Sequence, residues 1–447
     1  MIMIINKNIE VRYNCDLCVL GGSATGVFAA VRAARLGLNV ILIEKSNCFG
    51  GTATNGLVNV WHSMYDYDGK ERIIAGLSLE VINNLIAEGE AVSSCDHSKA
   101  NVFNPVALEI ELDRLVSNEP NITVLFDTMY SGVDAENCII RHAIICNREG
   151  ISAVRAAFFI DATGDGYLLN DLGVESYIHS SIQPPTSCFL MKGHIPYSEL
   201  AKVCLEHSAE FGLPDDWGWY GEVPGMDGIT FRADYHIFDR QLLNALDYSH
   251  AEIEGRNIAQ RFEKMIKKYV SKDYAIVSMC RHIGIRETRH FVTRFKANEM
   301  DLLTGKTYDD TILNGTYRVD IHHSNDNGLT LKELDGTETV MFGKGGPFYV
   351  TSWREKHGLD NNYARFYRVP FSILVQDTYV NLIGVGRIIN ADIGAYGALR
   401  VMINLNQIGE AAGTAAYIAI NSTKEIQAID GAEVKGLLNR NGSCISN

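Results

Sequence analysis

Residues 16–44 read DLCVLGGSATGVFAAVRAARLGLNVILIE, and the spacing of their apolar positions changes along the run. Leu17 to Leu20 are continuously apolar, as a strand buried on both faces requires. GGSATG follows at Gly21 to Gly26. Val27, Phe28, Val31 and Ala34 then recur at helical spacing, with Arg32 and Arg35 on the polar side. A Gly-Leu turn leads to a second apolar strand, Val40 to Ile43, closed by Glu44. The pattern predicts a βαβ unit.

Three later segments repeat the strand-to-turn pattern. Ile122 to Phe126 is apolar enough for a strand, with Met129 in the turn beyond it. Residues 157–166, AFFIDATGDG, read as a strand ending in a small-residue turn. Residues 380–402, VNLIGVGRIINADIGAYGALRVM, give a strand, then GVGR, then a small-residue stretch opening a helix from about Leu399 to Ile420. Gly409, Ala412, Gly413 and Ala416 recur at helical spacing there and predict a flat face for close packing. The turn-rich stretch Pro184 to Gly228, with Pro214-Asp215-Asp216, marks the entry into a second domain, and Ser324 to Gly346 reads as a long surface excursion. No internal repeat or low-complexity tract interrupts this order.

Composition narrows the class. The chain has 447 residues, 46% of them hydrophobic and 21% charged, so it can bury a substantial core. No run reaches ~18 consecutive apolar residues, which predicts no membrane span. A net charge of −14 excludes a nucleic-acid partner, whose phosphates require a basic face. Ten cysteines in so long a chain form no disulfide framework, and MIMIINKNIE lacks a secretory signal's features, so a cytoplasmic location is expected. Cys15 and Cys18 are too far apart on an extended strand to pair, and read as strand packing.

The βαβ unit carries dinucleotide chemistry. Gly21 permits the tight turn, Gly26 lets helix and strand approach, and the helix N-terminus offers N–H groups and positive dipole to a pyrophosphate. Ser23 stands where the GxGxxG pattern has its middle glycine; it is small, and its hydroxyl can donate to phosphate. Glu44 ends the second strand, where a carboxylate accepts from ribose hydroxyls and repels a 2′-phosphate. The bland alternative is a plain α/β crossover. A second glycine-rich turn, Asn47 to Thr54, and the later turns call for a ligand longer than NAD, and FAD meets that need.

On these residues the chain resembles the FAD-dependent oxidoreductase family, two-domain flavoproteins related to the glutathione-reductase and succinate-dehydrogenase folds. The matching segments are GGSATG, IEK (43–45), FGGTAT (49–54), FNPVALEIEL (103–112), IDATGDG (160–166), GIRETR (284–289), GVGRIINADIGAYGALRVM and QIGEAAGTAA (407–416). The resemblance implies an α/β fold: a Rossmann-like FAD-binding domain with a parallel sheet, helices and a small antiparallel sheet, plus an inserted α+β substrate domain. The FAD-binding part would comprise residues 1–60, 106–180 and 370–427, the substrate or cap part 61–105 and 181–369, and the tail 428–447.

Carried over, Gly21, Gly22, Ser23, Ala24, Thr25 and Gly26 would take the pyrophosphate and Glu44 the adenosine ribose. Lys45, Gly51, Thr52 and Thr54 would lie along the ribityl and flavin side, and Met129 would meet adenine. Ala162, Thr163 and Gly164 would cover the adenosine–pyrophosphate stretch. Gly386, Arg387, Arg400 and Val401 would bracket the ribityl chain and isoalloxazine, with the helix dipole favouring reduced flavin. Ile393 and Gly394 stand where the family pattern carries a polar or histidine residue, so no catalytic base is inherited. FGGTAT holds no histidine for covalent attachment, which implies non-covalent FAD.

On the substrate side the densest motif is Gly284-Ile285-Arg286-Glu287-Thr288-Arg289-His290. A helix would place Arg286, Arg289 and His290 on one face, and these are the candidate catalytic residues; a strand would separate Arg286 from Glu287. An arginine here either anchors a substrate carboxylate or polarises an oxygen, or it forms an Arg–Glu pair between domains. His322-His323 suit a solvated loop pair or a single proton acceptor better than a metal site, and no metal is expected. Trp217, Trp219, Tyr220, Tyr349, Trp353, Tyr363, Phe366 and Tyr367, with Arg354, Arg365 and Arg368 among them, suit either an aromatic-walled substrate site or a domain of irregular build.

The expected function is a dehydrogenase or oxidase taking hydride from a C–H beside oxygen or nitrogen of a small polar molecule. Oxygen, a quinone or another protein would take the electrons onward. Rival readings are a monooxygenase or halogenase, a double-bond reductase, and a non-catalytic FAD-binding sensor or scaffold.

Overall fold

Strands whose residues are buried on both faces carry unbroken apolar runs, and the runs Leu17–Leu20 and Val40–Ile43 are buried throughout in a computed structural model of the chain. The structure describes residues 8–214, 218–238, 240–324, 327–343 and 346–445; Asp215, Asp216 and Trp217 of the sequence reading lie outside the described residues. The two runs belong to a seven-stranded sheet ordered Ile122–Leu125, Val40–Ile43, Val11–Leu20, Gly150–Asp161, Ile139–Asn147 and Met129–Glu136. Strand Leu382–Gly384 pairs in parallel with the end of Gly150–Asp161, whose first half pairs antiparallel with Ile139–Asn147.

Register explains why this sheet matters. Leu20 lies opposite Ile43 and Asp161, Ile43 opposite Leu125, and Asp161 opposite Gly384. The parallel strands therefore end level, and the turns that follow them emerge at one edge. In open α/β sheets that carboxyl edge is where ligands bind.

Helix Ala24–Arg35 covers one face of the sheet and packs against helix Met402–Ser422. A Cβ at Gly409 would lie 2.1 Å from Thr25 O, and one at Gly413 2.2 Å from Ala29 O, so the small-residue face is a contact face. The helix expected from about Leu399 to Ile420 is Met402–Ser422, and a separate short helix, Ile393–Leu399, precedes it, with the chain turning at Arg400 and Val401. Arg32, expected on the polar side, is buried at 3% exposure and pairs with Glu410 at 2.5 Å. Helix Gly431–Arg440 sends Val434 and Leu438 into the same core.

Two four-stranded antiparallel sheets, with three smaller ones among the described residues, complete the α/β fold. The first is ordered Trp219–Glu222, Ile229–His236, Thr186–Lys192 and Ala275–Met279, and helix Ala245–Tyr269 packs on it through Phe262. The second runs Val319–His322, Gly328–Lys332, Thr337–Phe342 and Phe348–Ser352. This corrects the reading of residues 324–346 as a surface excursion. Leu329, Leu331 and Met341 on these strands face a cavity. Among the described residues no helix is long and apolar enough to cross a membrane.

Candidate FAD and substrate site

The strand-end turns open into a cavity of about 1520 Å³, larger than the roughly 300–1,000 Å³ usual for ligand pockets, so it has room for a long cofactor and a substrate together. The turns are fitted to one another. Gly21 has φ +107°, and a Cβ there would lie 2.3 Å from Ala162 O. A Cβ at Gly26 would lie 1.9 Å from Gly21 O. Ser23 is the N-cap of helix Ala24–Arg35, its Oγ accepting from the Gly26 N–H at 3.4 Å, which leaves the hydroxyl hydrogen for another acceptor. Glu44 is buried; Oε2 accepts from Gly22 N–H at 2.6 Å and Oε1 from Ser46 N–H at 2.7 Å. The Gly50 N–H donates to Gly22 O at 2.9 Å, joining the second glycine-rich turn to the first.

The next two turns are latched together by charge. Asp161 accepts from the N–H groups of Thr163, Leu168 and Leu169, shaping the turn after its strand. Asp165 pairs with Arg387 at 2.6 Å and accepts from Thr288 Oγ1 at 3.0 Å. Burial pushes the Asp165 carboxyl up, but the Arg387 guanidinium outweighs it and holds the group below the usual carboxylate range. Every residue expected to bind cofactor lines the cavity except Gly22, Gly26 and Thr54. Those three lie behind it: Thr54 Oγ1 donates to Phe49 O at 2.5 Å, inside the turn.

The Gly284–His290 motif folds as neither alternative. From Ile285 to Arg289 it is irregular, anchored by the bridge between Gly284 and Thr186, and only His290 enters a short strand. Arg286 and Arg289 line the cavity; His290 does not, being fully buried. The expectation that all three share a face is corrected accordingly. Arg286 Nη1 donates to Pro184 O at 2.9 Å and Thr186 Oγ1 at 3.3 Å, and Arg289 donates to Asn170. Glu287 turns inward to His179 and His290.

His322, read as part of a solvated pair, is buried and faces the cavity. Its Nδ1 lies 2.7 Å from His236 Nε2 and its Nε2 3.3 Å from Asp320 Oδ1. Asp320 also takes the Tyr317 hydroxyl at 2.6 Å and Arg400 Nη2 at 3.0 Å. Beside this network is His62, which no motif announced. Its ring lies against Tyr317, centroids 3.9 Å apart, and its Nδ1 is buried without a hydrogen-bond partner. Burial pushes His62 down to about 3; Asp320 opposes this, and Arg318 and Arg400 add to it. Burial and then Arg286 push His322 down to about 4. Both imidazoles are neutral near pH 7.

The expected aromatic wall is largely elsewhere. Of the named aromatics among the described residues, Trp219 lines the cavity, Tyr220 is half-buried outside it and accepts from Ile195 N–H, Trp353, Phe366 and Tyr367 are core, and Tyr349 and Tyr363 are exposed. Arg354 bonds main-chain oxygens of Asp360 and Asn362, Arg365 pairs with Asp66 and Glu71, and Arg368 lies over Phe366. Beside Trp219, the cavity's lining rings include those of Tyr130, Tyr167, Tyr197, Tyr248 and Tyr317.

The profile of the family described as FAD dependent oxidoreductase matches residues 16–438. Dihydrolipoyl dehydrogenase of Schizosaccharomyces pombe mitochondria is 36% identical over 91 residues, covering 18% of this chain and 18% of that one. That of Manduca sexta is 35% identical over 54 residues, covering 12% and 11%. The chain thus aligns with less than a fifth of the length of either relative. Among solved structures, a geranylgeranyl bacteriochlorophyll reductase-like protein of Thermoplasma acidophilum is 14% identical, covering 96% of this chain and 84% of that one, with a TM-score of 0.47. A flavin-dependent brominase is 11% identical, covering 96% and 83%, with a TM-score of 0.45.

The residues present fit FAD. Helix Met402–Ser422 begins at Val401, whose side chain offers no cap, so its first N–H groups are left for a ligand at the cavity wall. Asn406, in the following turn, lines the cavity with both amide atoms buried and unpartnered, and Arg387 Nε is likewise unpartnered. Buried polar atoms of this kind call for a polar occupant.

Proposed function

We propose that this chain, an enzyme that belongs to the FAD-dependent oxidoreductase family and takes FAD as its cofactor, is a dehydrogenase or oxidase of a small polar organic substrate. Bound FAD supplies the two-electron acceptor for hydride from a carbon that bears oxygen or nitrogen. Losing that hydride obliges the substrate to lose its O–H or N–H proton as well, giving a carbonyl or imine.

The observation that carries the reading is His62, a neutral imidazole on the cavity wall with an unpartnered nitrogen. It is placed to take the proton. Arg286, held by Pro184 O and Thr186 Oγ1, orients the substrate by a carboxylate or polarised oxygen. Leu242, Leu329, Leu331, Met341 and Trp219 give the same cavity an apolar lining, against which polar contacts are stronger than in water. In the same reading the N-terminus of helix Ala24–Arg35 holds the pyrophosphate and Glu44 the ribose. Met129 lies by adenine, Lys45, Gly51 and Thr52 by the ribityl side, and Arg387, Arg400 and Val401 near the ring system.

The test is anaerobic mixing of holoenzyme with a panel of hydroxy and amino metabolites, read as loss of flavin absorbance. A substrate should bleach the flavin at a catalytic rate, and His62→Gln should slow that step by roughly 10²–10⁴-fold with flavin content unchanged. The proposal fails if no metabolite bleaches wild-type flavin, or if the variant is reduced as fast as the wild type.

A further inference from the structure

Three ligand-type side chains meet outside the cavity: His179, Glu287 and His290, with candidate ligand atoms within 4.8 Å of one another. Side-chain exposure is 8% for His179, 1% for Glu287 and 0% for His290. His179 is the outermost of the three, flanked by exposed Ile178 and Ser180. The three residues come from two segments: His179 from the stretch after Ser176–Tyr177, and Glu287 and His290 from the run that ends in the short strand pairing with Ser176–Tyr177.

The outer hydrogen bonds fix how the rings present themselves. His179 Nε2 lies 3.0 Å from Ala391 O, and His290 Nδ1 lies 2.9 Å from Ile389 O. A carbonyl oxygen only accepts, so each of these nitrogens carries its ring's hydrogen. The opposite nitrogens, His179 Nδ1 and His290 Nε2, both face Glu287 Oε1, at 2.5 and 3.0 Å. Singly protonated rings would present lone pairs there to an oxygen that also has only lone pairs. The second carboxylate oxygen is already oriented, accepting from Gln183 N–H at 3.0 Å. Inward-facing imidazole nitrogens, each with its other N–H on a backbone carbonyl, together with an oriented carboxylate, are what a metal site requires of its ligands and their supports.

We propose that His179, Glu287 and His290 bind a divalent transition-metal ion of the zinc class. Two imidazoles and a glutamate are a ligand set zinc accepts, at about 2.0–2.2 Å, with water in the remaining place. The ion replaces the facing lone pairs with three favourable contacts. Its role is structural. It ties Glu287, next to cavity-lining Arg286, to the Ile389–Ala391 stretch that links the Gly386–Arg387 turn to helix Ile393–Leu399.

The test uses holoenzyme freed of any histidine tag, with zinc alone as the probe. After equilibration and gel filtration, elemental analysis should find about one zinc per chain, as a single three-ligand site predicts. His179→Gln and Glu287→Gln should each retain less than about a tenth of that. Chelation should lower the wild-type unfolding temperature, and zinc but not magnesium should restore it, because the stabilisation depends on free ion. Wild-type protein that retains no zinc, and whose unfolding temperature ignores both chelator and zinc, overturns the proposal. Variants that bind zinc as the wild type does overturn it equally. Should the variants fail to fold, the wild-type retention and restoration measurements decide alone, and neither reads turnover.

Discussion

Along the strand-end side of the cavity the turns fit at clearances set by glycine and are held by carboxylates bound to main-chain N–H groups, whereas the rest of the lining gathers His62, Arg286, Asp320 and His322 from segments far apart in the chain. The first face is a matter of volume: an added carbon has nowhere to go. The second is a matter of side-chain chemistry, where a group can be exchanged while the backbone stays in place. Substitutions should therefore abolish flavin binding on one face and change reactivity without flavin loss on the other.

Gly26→Val gives the largest expected effect. A Cβ 1.9 Å from Gly21 O meets main chain, which cannot yield without opening the first turn. Soluble protein carrying flavin should be absent, measured as flavin absorbance per chain. His62→Gln is the counterpart on the other wall: full flavin content, with reduction slowed by roughly 10²–10⁴-fold. If both variants lost flavin alike, the division between the two faces would not stand.

What the sequence revealed divides along a similar line. The parallel sheet and its turns were legible because strand, glycine turn and helix follow within a few residues, and local spacing dictates them. Gly409 and Gly413 announced a contact face because helical spacing alone puts them on one side. The burial of Arg32 is not legible in local spacing, because its partner Glu410 lies 378 residues away and only the packed helices bring the two together. The strands Gly328–Lys332 and Thr337–Phe342 are hard to see in the sequence because polar residues and flanking glycines obscure their period-two alternation. His62 had no signal to read, since a lone histidine becomes a site only when Tyr317 and Asp320 arrive beside it.

Arg32 also supplies the third prediction, one that neither face of the cavity governs. Arg32→Met leaves Glu410 buried and deprived of its cation, though still accepting from Leu77 N–H at 2.9 Å. Breaking such a pair costs about 3–5 kcal/mol, read as a fall in urea-unfolding free energy. Adding Glu410→Gln removes the stranded charge and should recover part of the loss. No recovery would place the damage in lost packing of the arginine stem instead.

The smallest effect sharpens the account of the substrate wall. His62 and His322 are held at about 3 and about 4, mainly by burial, below the ordinary value of about 6.5. Between those values and pH 6.5 the unfolded chain binds protons that the native state excludes, so native stability rises with pH across that window and levels above about 7. Each group contributes at most about 1.4 kcal/mol per pH unit to the slope. Urea unfolding at pH 7.5, 6.5 and 5.5 should show the wild type losing stability toward acid, and His62→Gln should lose it less steeply. An unchanged slope in the variant would mean that the native state protonates His62 as readily as the unfolded chain does. The neutral imidazole assigned as proton acceptor would then lose its physical basis, even if the variant were slow.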